Sequence, residues 1–528
     1  GRLDASRKPA GPADLNAFEG STMVNGDWEL FVADDSAGST GEISDGSDLE
    51  SFTAGTAEGD VLFGGDVLLD GLKTSLGDVG SEDGAVVIFN DLAAMGTDIS
   101  IGDLGGEDGL GVGGDVFLAN TEAGSLFAGE YDETTGVVSP GVSLANVEIA
   151  GDLILENSSV TDLTTAEGDI VVGGFLGLKN DSEIGEITLG TFDPDGSGAM
   201  APVSTGGDLT IGGVTAMFDS KIGDITLVDG DAVFTGLFGM ENSSVGDIVS
   251  GAYDQGASGL VTGGDIVFAD GIEMLDSSIA ASGGIGASEG DILVLDDLWM
   301  KNSEIGLFTV GINDPANDVS TGGSVVLDEP VEMIDSSIEA FVVNDGDVVW
   351  DDGVEMTRSE IGNVLISNKG SFNSLGMVDL EDSTIGDFVV EEGDVLFDSD
   401  VILDVSDPTD PLLASTIGDI TIGTYDDPAD IQTGGDLIFN GPVDLTNSTI
   451  AGTDGIFLEV GDVLFNDTVD LVGTDTDAPS SGRGVVPSLI GPVEVGRFDA
   501  DDPFTSGGDV VFSGAVVTAE NSAFVGFD

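Results

Sequence analysis

The sequence predicts an all-β protein built as a parallel β-solenoid, and two alternating phrases carry that prediction. One is Gly-Asp followed by apolar residues, as in Gly264-Asp265-Ile266-Val267-Phe268, Gly393-Asp394-Val395-Leu396-Phe397 and Gly461-Asp462-Val463-Leu464-Phe465. The other is an Asn/Asp-Ser step followed by Ile or Val, usually with Gly next. Examples are Asn242-Ser243-Ser244-Val245-Gly246, Asn302-Ser303-Glu304-Ile305-Gly306 and Asp382-Ser383-Thr384-Ile385-Gly386. The closest copies recur at roughly 23 to 26 residues, which marks one supersecondary unit stacked on itself. No helical apolar period competes with this pattern.

Each element of the unit follows from its residues. In the copy beginning at Gly264, residues 264–268 form the first strand, 271–275 the second, and the third starts at Ser278. Val, Ile, Leu, Phe and Met at alternate or consecutive positions suit strands with one buried face. Gly turns the chain at a corner where φ is positive, and the following Asp hydrogen-bonds the turn backbone. The Asn/Asp-Ser step makes a second corner, where stacking would line its side chains into a ladder. Roughly 16 to 18 coils at about 4.8 Å each would give a rod of about 80 Å.

A three-strand coil of this length resembles a right-handed parallel β-helix. Phrases such as Gly435-Asp436-Leu437-Ile438-Phe439-Asn440-Gly441-Pro442-Val443-Asp444-Leu445 are similar to the repeats of large bacterial exoproteins of the filamentous-haemagglutinin type. Residues 51–528 are assigned to this solenoid.

Residues 1–50 do not follow the repeat. Ala17-Phe18-Glu19-Gly20, Asn25-Gly26-Asp27-Trp28-Glu29-Leu30, the acidic Asp34-Asp35 turn and Gly41-Glu42-Ile43 resemble the C-terminal part of a P domain, the β-sandwich found beside subtilisin-like convertases. That resemblance implies a small β-sandwich fragment and an extracellular setting. No protease motif accompanies it. The chain starts at Gly1 with neither a signal peptide nor a long apolar stretch, and reads as a processed chain or part of a longer one.

Composition narrows the function. The net charge is -90, from 101 acidic against 11 basic residues, while 40% of residues are hydrophobic. That much apolar content excludes disorder, so the charge coats the exterior. The self-repulsion must be screened by salt, by divalent cations or by both. Nucleic-acid partners are excluded by the sign of the surface, and neither membrane insertion nor docking to an anionic membrane is expected. With no Cys and no His, disulfides, thiolate chemistry, the usual zinc sites and His-based acid–base catalysis are ruled out.

Some coils carry an extra phrase. Copies run from Gly190-Thr191-Phe192-Asp193-Pro194-Asp195 to Gly206-Gly207, from Gly251-Ala252-Tyr253-Asp254 to Gly263-Gly264, and from Gly311-Ile312-Asn313-Asp314-Pro315 to Gly322-Gly323. Two more run from Gly423-Thr424-Tyr425-Asp426-Asp427-Pro428 to Gly434-Gly435 and from Gly496-Arg497-Phe498-Asp499 to Gly507-Gly508, and Gly129-Glu130-Tyr131-Asp132 is a degenerate copy. Several recur roughly every 57 to 60 residues, which places the insertions in a row on one edge, often a binding face. All 3 tyrosines lie in these copies. Tyr131, Phe192, Tyr253, Tyr425 and Phe498 are therefore the candidate binding residues. Asp193, Asp195, Asp314, Asp318, Asp426, Asp427, Asp430, Asp499, Asp501 and Asp502 are candidate hard-oxygen ligands for Ca²⁺. The competing reading makes Asp and Pro turn formers and packs the aromatic rings on the rod; no copy has an EF-hand or a Gly-Gly-x-Gly-x-Asp nonapeptide.

Further motifs carry less weight. Asn157, Asn180, Asn242, Asn447 and Asn466 open N-glycosylation patterns, mostly inside the ladder step. Paired carboxylates occur everywhere, so an acid–base pair has no specificity. A polyuronate lyase would need an electropositive groove, and the basic residues are scattered. Threonines form no ranked array for ice binding. The sequence favours a secreted, non-enzymatic structural protein at the cell surface or in the extracellular medium, assembling with copies of itself. The alternative is an adhesin or fibre that binds glycans through the loop row.

Overall fold

The computed structural model describes residues 43–524 apart from 45–47, 55–60, 73–74, 82–83, 133–136, 140–144, 194–202, 254–260, 280–282, 315–316, 318, 408–413, 427–430, 452–454, 474–486, 497–507, 514–516 and 521. Every regular element among the described residues is a strand. The fold is a parallel β-solenoid, and the chain divides into two compact units, Gly1–Glu186 and Ile187–Asp528.

In the first unit the Gly-Asp strands stack in the order Val61–Phe63, Ala85–Ile88, Gly109–Val112, Asn146–Ile149 and Ile170–Val172. Their register aligns Val61, Val86, Leu110, Val147 and Ile170, and all five are buried. Most of the P-domain-like phrase lies outside the described residues. Coil pairing nevertheless begins ahead of residue 51: Ile43–Ser44 pairs in parallel with Val67–Leu72, and Asp48–Ala54 with Ser75–Ser81.

In the second unit the same ladder runs Leu209, Ala232, Ile266, Ile292, Val325, Val348, Phe372, Val395, Leu437, Val463 and Val510, each paired to the next. A coil here has four straight legs where the sequence suggested three. In the coil starting at Ile266 they are Ile266–Phe268, Ile272–Leu275, Ser278–Ile279 and Ile285–Ala287. The expected third strand is bent by a further corner in most coils. In others, such as Glu304–Val310 and Ser337–Asn344, it runs on as one strand.

The core is a stack of like on like. Phe397, Phe439, Phe465 and Phe512 lie face to face with centroids 5.0, 5.0 and 4.9 Å apart. Phe234 stacks on Phe268 at 5.0 Å. Such rings bury large apolar areas, and favourable aromatic geometry adds about 0.5–1.5 kcal/mol per pair beyond the burial.

The Asn/Asp-Ser corner works as a buried hydrogen-bond ladder. The N–H of Ser220 donates to the hydroxyl of Ser243 at 3.1 Å, and the pattern continues through Ser277, Ser303, Ser336, Ser359, Ser383 and Ser415 at 3.0–3.2 Å. Most of these hydroxyls also donate to a carbonyl two residues earlier, as Ser303 does to Lys301 at 2.8 Å. The buried oxygen is thus satisfied on both sides, as burial requires. The preceding residue is left-handed, with φ of 51° at Asn242, 50° at Asp276 and 49° at Asn302. Asn and Asp are enriched there because their short polar side chains tolerate that conformation best among residues with a Cβ.

At the Gly-Asp corner each Asp carboxylate accepts the N–H of its counterpart one coil on. Asp231 receives Asp265, Asp265 receives Asp291, Asp394 receives Asp436 and Asp436 receives Asp462, all at 2.8 Å. Positive φ explains only part of the glycine requirement. A Cβ on Gly435 would sit 1.9 Å from the carbonyl oxygen of Gly393, so close approach of successive coils demands glycine there.

Candidate functional site

The insertions with described strands pair in antiparallel fashion, as hairpins. Each described copy begins at a glycine with positive φ: 92° at Gly190, 104° at Gly251, 79° at Gly311 and 93° at Gly423. The pairings are Thr191–Asp193 with Val203–Thr205, Tyr253 with Val261, Asn313–Asp314 with Val319–Ser320, and Tyr425–Asp426 with Ile431–Gln432. In the first unit, Glu130–Asp132 pairs with Val137–Ser139.

A threonine at the foot of the hairpin ties it to the coil behind. The Thr321 hydroxyl accepts from the Ile312 N–H at 2.9 Å and donates to the Ser288 carbonyl at 2.5 Å. The Thr433 hydroxyl accepts from the Thr424 N–H at 2.9 Å and donates to the Glu391 carbonyl at 2.5 Å. Thr262 bridges Ala252 and Val228 in the same way. Sequence reasoning missed this device, although its signal was present: Thr precedes Gly-Gly at residues 205, 262, 321 and 433.

Hairpin spacing follows from strand pairing. The legs that precede the corner align Ile225, Ile248, Ile285, Phe308, Phe341, Val364, Phe388 and Ile420 in consecutive coils. Hairpins follow the legs containing Ile248, Phe308 and Ile420 but none of those between. Hairpins 251–262 and 311–321 are therefore two coils apart, about 10 Å, while 311–321 and 423–433 are four apart, about 19 Å.

At the short interval the hairpins touch. The Tyr253 hydroxyl donates to Asp314 Oδ2 at 2.5 Å. Asp314 also accepts from its own turn, with Asn317 Nδ2 at 2.9 Å from Oδ2. One candidate binding residue and one candidate metal ligand thus meet as a hydrogen-bonded latch between neighbours.

At the long interval a groove of about 400 Å³ opens between Ser320 on one wall and Thr424 and Thr433 on the other. Its floor comes from the intervening coils, including Asp345, Asn368, Lys369, Glu391 and Glu392. Asn344, 5% exposed, donates from Nδ2 to the carbonyls of Ile312 at 3.0 Å and Thr321 at 2.5 Å. Asn368 Nδ2 donates to Asn344 Oδ1 at 2.6 Å and to the Ser320 hydroxyl at 3.2 Å. Wall and floor are locked together by these amides. Neither asparagine lies in the insertion phrases, which is why sequence reasoning passed over them.

The backbones of Tyr131, Phe192, Asp193, Tyr425 and Asp426 lie in hairpin strands. Asp195, Asp318, Asp427, Asp430, Phe498, Asp499, Asp501 and Asp502 fall outside the described residues. Among the described residues, no three metal-ligating side chains converge to hold one ion. The Asn157 amide donates to Asn120 Oδ1 at 2.9 Å and the Asn466 amide to Asn440 Oδ1 at 2.8 Å. These glycosylation-pattern nitrogens are engaged between coils.

Outward faces carry carboxylates in register. Glu332, Glu355 and Asp379 occupy adjacent strands directly opposite one another, as do Asp444 and Asp470. Burial, reinforced by Glu355, raises the Asp379 carboxyl above its ordinary range, and burial with Asp470 does the same to Asp444. Burial also raises Asp162 and Asp229, and the Asp352 carboxylate raises Glu329. Asp335 runs the other way, held low by the two-point contact of the Arg358 guanidinium at 2.7 Å.

No protein-family model, curated protein or solved structure matches this chain.

Proposed function

We propose that this chain is a secreted structural protein, not an enzyme, which serves as an acidic scaffold in a surface layer, extracellular fibre or matrix built from copies of itself. The observation that supports this reading is the in-register stacking of carboxylates, coil upon coil, on a fold whose described interior is packed with apolar side chains. Like charges directly opposite one another weaken strand pairing, so a surface of this kind requires counter-ions. Ca²⁺ suits it because carboxylate oxygens are its preferred ligands. With no converging cage among the described residues, calcium would act as a shared or intermolecular counter-ion at columns such as Glu332–Glu355–Asp379; high salt would neutralise the same columns less specifically. Saline and calcium-rich conditions are those of an extracellular location.

Negative-stain electron microscopy of the purified chain in calcium, then after chelation at constant ionic strength, tests this reading. Ordered fibres or sheets that dissolve on chelation are the expected result. Isolated particles under both conditions would remove the polymer reading.

A further inference from the structure

We propose that the groove between hairpins 311–321 and 423–433 binds an uncharged oligosaccharide. This inference concerns a different surface from the carboxylate columns and does not depend on polymer formation.

The groove exists because the hairpin row doubles its interval here. Subtracting a hairpin thickness of about 10 Å from a separation of about 19 Å leaves a slot roughly 10 Å wide, enough for a single sugar chain. Its volume of about 400 Å³ falls in the range of small-ligand clefts. It is also pre-formed. Asn368, held at φ 61°, bonds the Ser320 wall through its side chain and donates its N–H to Glu391 Oε2 at 2.7 Å. Binding groups fixed before the ligand arrives lose little entropy on binding.

The chemistry selects the ligand. Lys369 is exposed on the floor and makes no ion pair among the described residues, so its ammonium can donate to ligand oxygens. Glu392, exposed beside it, can accept from ligand hydroxyls. On the walls the Ser320 and Thr433 hydroxyls are already engaged, but the Thr424 hydroxyl, 3.1 Å from Thr433 Oγ1, can still accept from a ligand hydroxyl. Three carboxylates against one ammonium disfavour uronates, sulfates and phosphates. The coil backbones of the floor are already paired with their neighbours, so the floor itself offers no edge for an added peptide strand. Val319 is the one aliphatic lining residue, too little for an apolar ligand. A hydroxyl-rich, uncharged chain fits all of these features.

The test is isothermal titration of the full chain with cello-, malto-, laminari-, manno- and chitohexaose, with an alginate hexamer as the acidic comparison. At least one uncharged hexaose should bind, and Lys369→Ala and Glu392→Gln should each weaken it about tenfold, the equivalent of one charged hydrogen bond. Glu332→Gln, on a distant coil face, should leave binding unchanged. Both groove positions are exposed, and circular dichroism checks that the variants fold. Absence of binding by every uncharged hexaose at millimolar concentration would overturn the proposal. Binding that survives both groove variants, or tighter binding of alginate, would do the same. None of these outcomes bears on calcium-dependent assembly, which microscopy reads separately.

Discussion

The inward and outward faces of the same strands obey one rule with opposite results. Parallel in-register stacking places each residue against its counterpart in the next coil. Inside, this puts Phe439 between Phe397 and Phe465 and threads Ser303 between Ser277 and Ser336. Outside, it puts Glu355 between Glu332 and Asp379. Apolar and hydroxyl ladders gain with every coil added, and carboxylate columns lose. The difference teaches that a solenoid amplifies whatever chemistry its repeat places on each face, so the acidic exterior is a cost borne by the core unless cations offset it.

The sharpest way to break the comparison is to cut an inner ladder. Phe439→Ala should destabilise the second unit by about 3–5 kcal/mol, read as a fall in the urea midpoint. Ser303→Ala should cost about 1–3 kcal/mol by stranding the buried Ser277 N–H. Placing Ala at Asn302, outside the buried ladder but left-handed, should cost about 1–2 kcal/mol. Cutting an outer column should do the reverse: Asp379→Asn should stabilise by a few tenths of a kcal/mol after solvent screening, and the share due to repulsion by Glu355 should fade in molar salt while the share due to burial persists.

The same outer effect can be titrated. The raised carboxyls of Asp162, Asp229, Asp379 and Asp444 bind protons more readily in the folded chain than in the unfolded one. Their stabilising contribution is complete below the ordinary carboxyl range near about 4 and is lost as pH rises through the raised folded values. Thermal midpoints at low salt should therefore climb as pH falls from 7 towards that range. Asp335 opposes the trend only at still lower pH, where its bond to Arg358 is lost. The most local effect is expected at the hairpin latch. Tyr253→Phe should loosen it by about 0.5–1.5 kcal/mol, seen as faster amide exchange in residues 311–321 with little change in global stability.

Much of the fold was legible because a solenoid repeats its instructions. The Gly-Asp and Asn/Asp-Ser phrases mark two of the corners, and both ladders occur at those phrases. The extra bend was less legible, because the glycine step that marks it, Gly246-Asp247 ahead of Ile248 and Gly283-Gly284 ahead of Ile285, looks like any other turn. The glycine column was recognised, but its reason was incomplete: Gly435 is required by the Gly393 carbonyl of the neighbouring coil, a contact between residues 42 positions apart that no local reading supplies. At the hairpins, the residue types were visible and their partnerships were not. Tyr253 and Asp314 stood in separate copies of one phrase, and only coil spacing brings them together. The groove depends on the coils that lack a hairpin, where Asn344, Asn368 and Lys369 carry no repeat signature at all.

The most direct test is a thermal unfolding series at neutral pH, run first over a range of sodium chloride and then with calcium or magnesium at one fixed ionic strength. The midpoint should rise with ionic strength and rise further with calcium specifically, both effects being reduced in a variant carrying Glu332→Gln, Glu355→Gln and Asp379→Asn. A midpoint indifferent to salt and calcium, or a variant that responds as fully as the parent, would contradict the claim that cations offset the cost of the acidic exterior.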